Sequence, residues 1–411
     1  MKTLKSLLLI TFFIMGMCTH AQNKTMFVYK NDATVSEITL SEIDSIKFST
    51  PIEDGNGFTN AEIGASKEFP ELGYPGELES WDTYPENSEM YGDLLMYHAY
   101  CGNYIVLLSR IYAGLDPTSP HCLKVVDKTT LNPAGDLNLG SISVADIQMI
   151  TSDYKGRCVA AVVKDGETEF FYWTTPANAP TSVGKIAVNM APAPDGSNNF
   201  QVSGDITGSA WITALAPRGT EGEHYRVKVT GGHLDSNYSM VTTGYSSSDC
   251  TGFQMISQLD ASDDALYVIG DTEGEAATAS STRVYTNSLD GLTHDIMPAY
   301  WQNILQDWWV GTGFSTARTG GRAPVVSALP INGKSYVVVT TGTSWWHAAA
   351  VLTSDLQELA HPNLNIAFPM NRGWSYGAWV DWYYNAELKE AYLAVWFGRL
   401  GLFTYKLTCS E

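Results

Sequence analysis

Ala145–Trp173 reads ADIQMITSDYKGRCVAAVVKDGETEFFYW. Three runs in it, Ile147–Thr151, Arg157–Val163 and Thr168–Trp173, are built from valine, isoleucine, threonine and aromatics. Such residues suit a pleated, half-buried surface. The breaks between the runs, Asp153-Tyr154-Lys155-Gly156 and Lys164-Asp165-Gly166-Glu167, place glycine beside aspartate or lysine. That is the chemistry of hairpin turns, so the stretch predicts an antiparallel meander.

The pattern recurs. Phe200–Val229, Phe253–Thr286, Pro324–Leu352 and Gly377–Leu407 carry similar runs, and Leu95–Val126 is a less regular copy. The first strands start near Tyr97, Ile147, Phe200, Phe253, Pro324 and Gly377. They lie roughly 50 residues apart, with one gap of about 70, a period that marks a repeat architecture. The expected fold is an all-β, six-bladed β-propeller with four-stranded antiparallel blades. Fourth strands are expected near Gly184–Met190, Tyr238–Gly244 and Asn363–Phe368. The last copy holds only three strands. A strand around Glu77–Thr83 (ELESWDT), beside Trp81, is expected to complete it and remove the open edge.

The long gap falls between the fourth and fifth copies, at His294–Arg322. There Tyr300, Trp301, Ile304, Leu305, Trp308 and Trp309 recur at helical spacing after Pro298. They predict a short amphipathic helix inserted between blades four and five.

The N-terminal stretch MKTLKSLLLITFFIMGMCTHA has two lysines, an apolar run Leu7–Met17 and then small residues. It reads as a secretory signal over 1–21, cleaved before Gln22. A competing reading lipidates Cys18, but Met15-Gly16-Met17 lacks the small residue expected just before a lipidated cysteine. The remaining division is a small β segment at 22–50, a linker at 51–75 rich in Gly, Pro and Glu, and the propeller at 76–411. No later apolar run is long enough for a transmembrane segment. The expected location is therefore the periplasm, cell surface or extracellular space.

The formal charge is −20, and loss of Lys2 and Lys5 with the signal makes it more negative. This excludes nucleic acid and anionic membrane as main partners. Cys101, Cys122, Cys158, Cys250 and Cys409 are odd in number and scattered, which predicts buried thiols in place of a disulfide framework. No C-x-x-C or His-x-His cluster suggests zinc, and no repeated aspartate spacing around Asp263, Asp264 or Asp271 defines a calcium loop. Neither a metal nor a cofactor is expected.

Met26–Phe48 reads MFVYKNDATVSEITLSEIDSIKF. It predicts two or three short strands about an Asn31-Asp32 turn, and it resembles a short N-terminal segment found on many secreted proteins of Bacteroidetes. The blade repeats resemble the uncharacterised secreted propellers of gut Bacteroidetes, which often accompany polysaccharide-uptake systems. The resemblance implies export and an envelope setting. Ser288-Leu289-Asp290-Gly291 begins like a sialidase-type box but lacks the tryptophan, and the Gly231-Gly232 and Gly320-Gly321 doublets do not form a kelch pattern. Architecture alone gives no function.

In a four-stranded meander the loop between strands two and three shares an end with the link to the next blade. That end receives 294–322, Thr341–Trp346, Pro369–Tyr376 and Phe397–Gly401. Long loops on one end of a rigid scaffold are where binding usually sits. The ligand-binding candidates are Trp301, Trp308, Trp309, Arg318, Arg322, Trp345, Trp346, His347, Arg372, Trp374 and Arg399. Flat aromatic faces suit the C–H faces of sugar rings, and arginine supplies fixed donors. The same tryptophans would equally serve to pack the inserted helix, whereas Trp379, Trp382 and Trp396, inside strands, are expected in the core. Catalytic residues are not singled out. Asp205, Asp381, Glu387 and Glu390 are the acids near inner strands or turns, and His347 follows two tryptophans. The first function class is therefore a saccharide-binding envelope protein. A polysaccharide hydrolase or lyase using the central funnel is the second, and a scaffold for envelope protein partners the third.

Overall fold

A computed structural model describes residues 25–29, 35–39, 58–68, 70–74, 96–109, 121–190, 200–215, 223–242, 255–272, 282–288, 291–296, 325–340, 347–354, 365–368, 378–397 and 401–409. The chain forms two compact units, residues 1–48 and 49–411. The first holds a two-stranded antiparallel sheet, β1 (Thr25–Tyr29) and β2 (Val35–Thr39), with Thr25 opposite Thr39.

The second unit is a β-propeller. Strand β3 (Phe58–Lys67) comes first in sequence. A three-stranded sheet follows, made of β4 (Met96–Cys101), β5 (Tyr104–Ser109) and β6 (Leu123–Asp127). The next sheet holds β7 (Ile147–Ser152), β8 (Cys158–Lys164), β9 (Glu167–Trp173) and β10 (Thr181–Ile186). Then come β11 (Phe200–Gly204), β12 (Ser209–Leu215), β13 (Glu223–Thr230) and β14 (His233–Thr242). The following sheet is β15 (Met255–Gln258), β16 (Tyr267–Thr272), β17 (Thr282–Ser288) and β18 (Gly291–Ile296). After it lie β19 (Val326–Ile331), β20 (Lys334–Thr340), β21 (His347–Thr353) and β22 (Asn365–Phe368). The last strands are β23 (Ala378–Asn385), β24 (Glu390–Phe397) and β25 (Gly401–Cys409). Inner strands β4, β7, β11, β15, β19 and β23 pack side by side in that order, and β23 returns to β4.

Five four-stranded blades are present, not the six expected from the repeat. The sheet of β4, β5 and β6 has three strands among the described residues. Fourth strands β10, β14 and β22 fall within a few residues of their expected places. Apart from strands, the described residues contain short 3-10 turns such as Pro70–Leu72 and Val144–Asp146. The helix expected in 294–322 falls almost wholly on residues outside the described set, save that His294–Ile296 end strand β18.

The closing strand is also reassigned. β3 pairs antiparallel with β25, Leu402 opposite Lys67 and Leu407 opposite Ala61. It lies inside the stretch read as linker, while Glu77–Thr83 is outside the described residues. The approach is close enough that a Cβ on Gly401, whose φ is +120°, would collide with the Lys67 carbonyl. Phe58 anchors the strand's start edge-on against Tyr336 of β20, ring centroids 4.7 Å apart.

Burial follows position in the blade. Cys158–Ala161 of β8 are all buried, because a middle strand is covered on both faces by neighbouring blades. Outer β10 buries only Val183 and Ile186. Trp379, Trp382 and Trp396 are core residues, as their strand positions predict. Cys101, Cys122, Cys158 and Cys409 are buried free thiols.

Candidate functional site

The inner strand of each blade has one edge with no strand beside it, so its N–H and C=O groups face the propeller axis. Polar side chains meet them there. Asp381, in the middle of β23, is the hub. Its Oδ2 accepts from the Tyr100 N–H of β4 (3.0 Å) and from the Ser152 hydroxyl. Its Oδ1 accepts from the Ser152 N–H of β7 (3.0 Å) and the Thr151 hydroxyl (3.3 Å). Since β4 lies between β23 and β7 in the ring, this carboxylate ties alternate blades across the interior. Burial pushes its pKa up to about 7, against the opposing pull of the hydrogen bonds from Ser152, Tyr100 and Thr151.

A second crossing lies at the end formed by the turns between first and second strands. Tyr154 donates its N–H to the Gly204 carbonyl at the end of β11 (3.0 Å) and its hydroxyl to the Gln258 carbonyl of β15 (3.4 Å). Its carbonyl accepts from the Tyr384 N–H of β23 (3.4 Å). Blades β15–β18 and β23–β25 are not neighbours of the β7 blade, so Tyr154 sits on the axis and stoppers that end. Gly156, at φ +71°, lets the turn lie under the Tyr383 ring, where a Cβ would come within 2.8 Å. A third crossing joins the Ser327 hydroxyl of β19 to Gln201 Oε1 of β11 (3.2 Å).

The acids singled out by sequence do not converge as a free pair. Asp205 caps its own turn, accepting the Thr207 N–H (2.9 Å) and hydroxyl (2.7 Å), and receives Arg157 Nη1 at 2.5 Å. Thr207 and Arg157 hold it below the usual carboxylate range although burial opposes them. Arg157 also pairs with buried Asp153 (2.9 Å), which accepts the Ile206 N–H of the next blade (3.1 Å). Glu387 is on an exposed turn, and Glu390 accepts from Tyr392 and lies 3.7 Å from Lys406. Asp263 is held by Lys228, and no group of three metal-ligating side chains occurs among the described residues. Burial pushes the Cys101 thiol up to about 12 and raises the Cys158 thiol well above its ordinary value, which leaves no thiolate nucleophile there.

Of the expected ligand-binding residues, His347 opens β21 opposite Phe368, described by its backbone. Trp301, Trp308, Trp309, Arg318, Arg322, Trp345, Trp346, Arg372, Trp374 and Arg399 lie outside the described residues. The groups that sequence reasoning missed are Tyr154, Ser152 and Arg226. Arg226 lies in β13 between half-buried Tyr225 and buried Val227, in a middle strand whose faces are largely covered by the neighbouring blades. That signal was available in the sequence.

An open cleft of about 400 Å³ lies where the turns of the β15–β18 and β19–β22 blades meet, lined by Leu259, Asp260, Leu266 and Lys334 among others. Asp260 is engaged by the Ser262 N–H and hydroxyl.

No family model matches the chain, and no curated protein does. Among solved structures it is similar to a DUF4623 family protein from Bacteroides eggerthii, with a TM-score of 0.50 and 16% identity over 95% of this chain and 83% of that one. This supports the propeller fold. Weaker likenesses are the fucose-recognising lectin of the fungus Aleuria aurantia and the calcium-binding regucalcin of Agrobacterium tumefaciens. The lectin has a TM-score of 0.33 and 8% identity over 59% of this chain and 66% of its own. The regucalcin has a TM-score of 0.34 and 10% identity over 77% of this chain and 91% of its own. Neither carries weight for function.

Proposed function

We propose that this chain is an exported, non-catalytic propeller of the cell envelope that binds a saccharide at the end opposite the Tyr154 turn. The observation that carries the reading is the stoppered axis. Tyr154 spans three blades at one end, and Asp381 and the Gln201–Ser327 pair cross the interior. A hydrolase working in the central funnel needs two carboxylates free to flank a glycosidic bond. Asp381 and Asp205 are instead saturated by hydrogen bonds from the fold itself. Recognition then falls to the loops of the opposite end, where the sequence concentrates Trp301, Trp345, Trp346 and Trp374 with Arg318, Arg322 and Arg372. The acidic chain favours a neutral or weakly acidic glycan.

The test is a glycan array followed by calorimetric titration of the best ligand, with reducing-end and unsaturated-product assays alongside. Stacking on one tryptophan contributes about 1 kcal/mol, by analogy with aromatic pairs. Trp345→Ala and Trp346→Ala should each weaken binding while melting as the parent does. Product release, or unchanged binding by both variants, would overturn the reading. Export carries its own test. Intact mass of natively expressed protein should give a chain starting at Gln22, and a diacylated Cys18 would place it on a lipid anchor instead.

A further inference from the structure

The interface between the β11–β14 and β15–β18 blades differs from the others in what it buries. Gln201, Thr213, Arg226 and Ser239 are cross-strand partners, so one row of polar side chains crosses the whole blade on a single face. The opposing blade answers with Gln258 and Tyr267, themselves partners across β15 and β16. The Arg226 guanidinium, 4% exposed, stacks 3.5 Å above the Trp211 ring and lies 5.8 Å from the Tyr267 ring. It donates to Gln258 Oε1 (3.2 Å) and to the Ser262 and Asp263 carbonyls (3.4 and 2.9 Å).

None of these acceptors is charged. The nearby carboxylate, Asp263, faces the surface, and both its oxygens are taken by Lys228 at 2.6 Å. Asp263 acts on the Arg226 charge from there, and Asp260 and Asp264 stand on the same turn, but none of the three carboxylates is a hydrogen-bond partner of the guanidinium. Around Arg226, the buried groups without a partner include Thr213 Oγ1, Gln201 Nε2 and Tyr267 Oη. All three can donate. Buried polar groups left unpaired destabilise a fold, so such groups together call for a guest. A neutral guest would give the guanidinium no charged hydrogen-bond partner. A monatomic anion supplies one, accepts from every donor present and takes about the volume of one water, roughly 30 Å³.

We propose that this interface is an internal binding site for a small monovalent anion of the halide class, held by Arg226 with the Thr213 and Tyr267 hydroxyls and the Gln201 amide. The site is independent of the saccharide end. It would make the packing of these two blades responsive to halide concentration.

Two measurements on the intact chain test it. Crystals grown in sodium bromide should give an anomalous peak among Arg226, Thr213 and Tyr267. Thermal melts in sodium chloride should rise saturably above melts in sodium gluconate of equal ionic strength, since gluconate is too large to enter. Thr213→Val and Tyr267→Phe each delete one hydroxyl with little change of shape, and each should weaken halide binding about 10-fold or more. Water density in place of bromide, or identical chloride and gluconate melts in the parent, would overturn the proposal. So would variants that are simply more stable than the parent in both salts, because that is how an unpaired hydroxyl without a guest behaves. If a variant fails to fold, the bromide map of the parent decides alone.

Discussion

Between β23 and the inner strands β4 and β7, the buried charge is Asp381, and four donors from the chain surround its two oxygens. Between β13 and the β15–β16 hairpin, the buried charge is Arg226, and its neighbours include three polar groups with nothing to bond. Both interfaces belong to one fold and sit at similar depth. The difference lies in which backbone groups are within reach. Asp381 faces the free N–H edges of inner strands, which need an acceptor anyway. Arg226 sits two strands further out, where the backbone is already used in the sheet, and it finds carbonyls only in the 259–266 turn. A blade can absorb an acid at its inner edge from its own resources; a base farther out requires something added.

The largest effect should come from removing Phe58–Lys67. Without β3 the β25 edge is open, and the expected outcome is loss of a single cooperative thermal transition. Removal of 77–83 should retain it. Equal melts for the two deletions would break the assignment of closure to β3. Next, Trp382→Ala, in the same inner strand as Asp381, should cost about 3–5 kcal/mol in urea unfolding.

Asp381→Asn should cost about 1–3 kcal/mol at neutral pH, since the amide's NH₂ meets donors where the carboxylate had acceptors. Its pH signature sharpens the comparison. The folded Asp381 binds its proton up to about pH 7, whereas the unfolded chain releases it near the ordinary value of 3.8. The folded state thus holds more protons in that window, and this group's contribution to stability falls as pH rises from about 4 to 7. His98 works in the opposite sense. Burial lowers it from 6.5 to about 3, so the unfolded chain holds more protons there and stability rises with pH across that window. In Asp381→Asn the falling limb should vanish and the rise due to His98 should stand out in melts taken from pH 4 to 7. An unchanged profile would show that Asp381 does not titrate in this window. The smallest effect is at the other interface: Thr213→Val should lie within about 0.5 kcal/mol of the parent in halide-free buffer or be more stable.

Much of the meander was legible because middle strands such as β8 are continuous apolar runs bounded by turn residues. The closing strand was not. FTNAEIGASK has glycine, asparagine, glutamate and lysine, and Ile63 is 61% exposed. An outer strand buries little, so its pattern is set by its partner β25 more than by its own residues. ELESWDT drew attention because a tryptophan looks like an anchor. Asp381 was legible as an acid on an inner strand, but its role depends on Tyr100 and Ser152, residues brought in from other blades. Arg226 shows itself only once β13 is known to be a middle strand, because a sheet packed on both faces can bury even a charged residue.

The pairing of β3 with β25 has a consequence for the order in which the protein is made. The Ala65 N–H bonds to the Thr404 hydroxyl across 339 residues of chain. At ribosomal speeds of about 5–20 residues per second, the first of these partners exists for roughly 20–70 seconds before the second is synthesised. For that interval the segment must remain solitary while five hairpin-rich sheets emerge beside it, each with an edge that could capture it. Its glycine, its scattered charges and its weak intrinsic taste for extended structure keep it from pairing early. The composition that hides β3 from a reader is the composition that lets it wait for its partner.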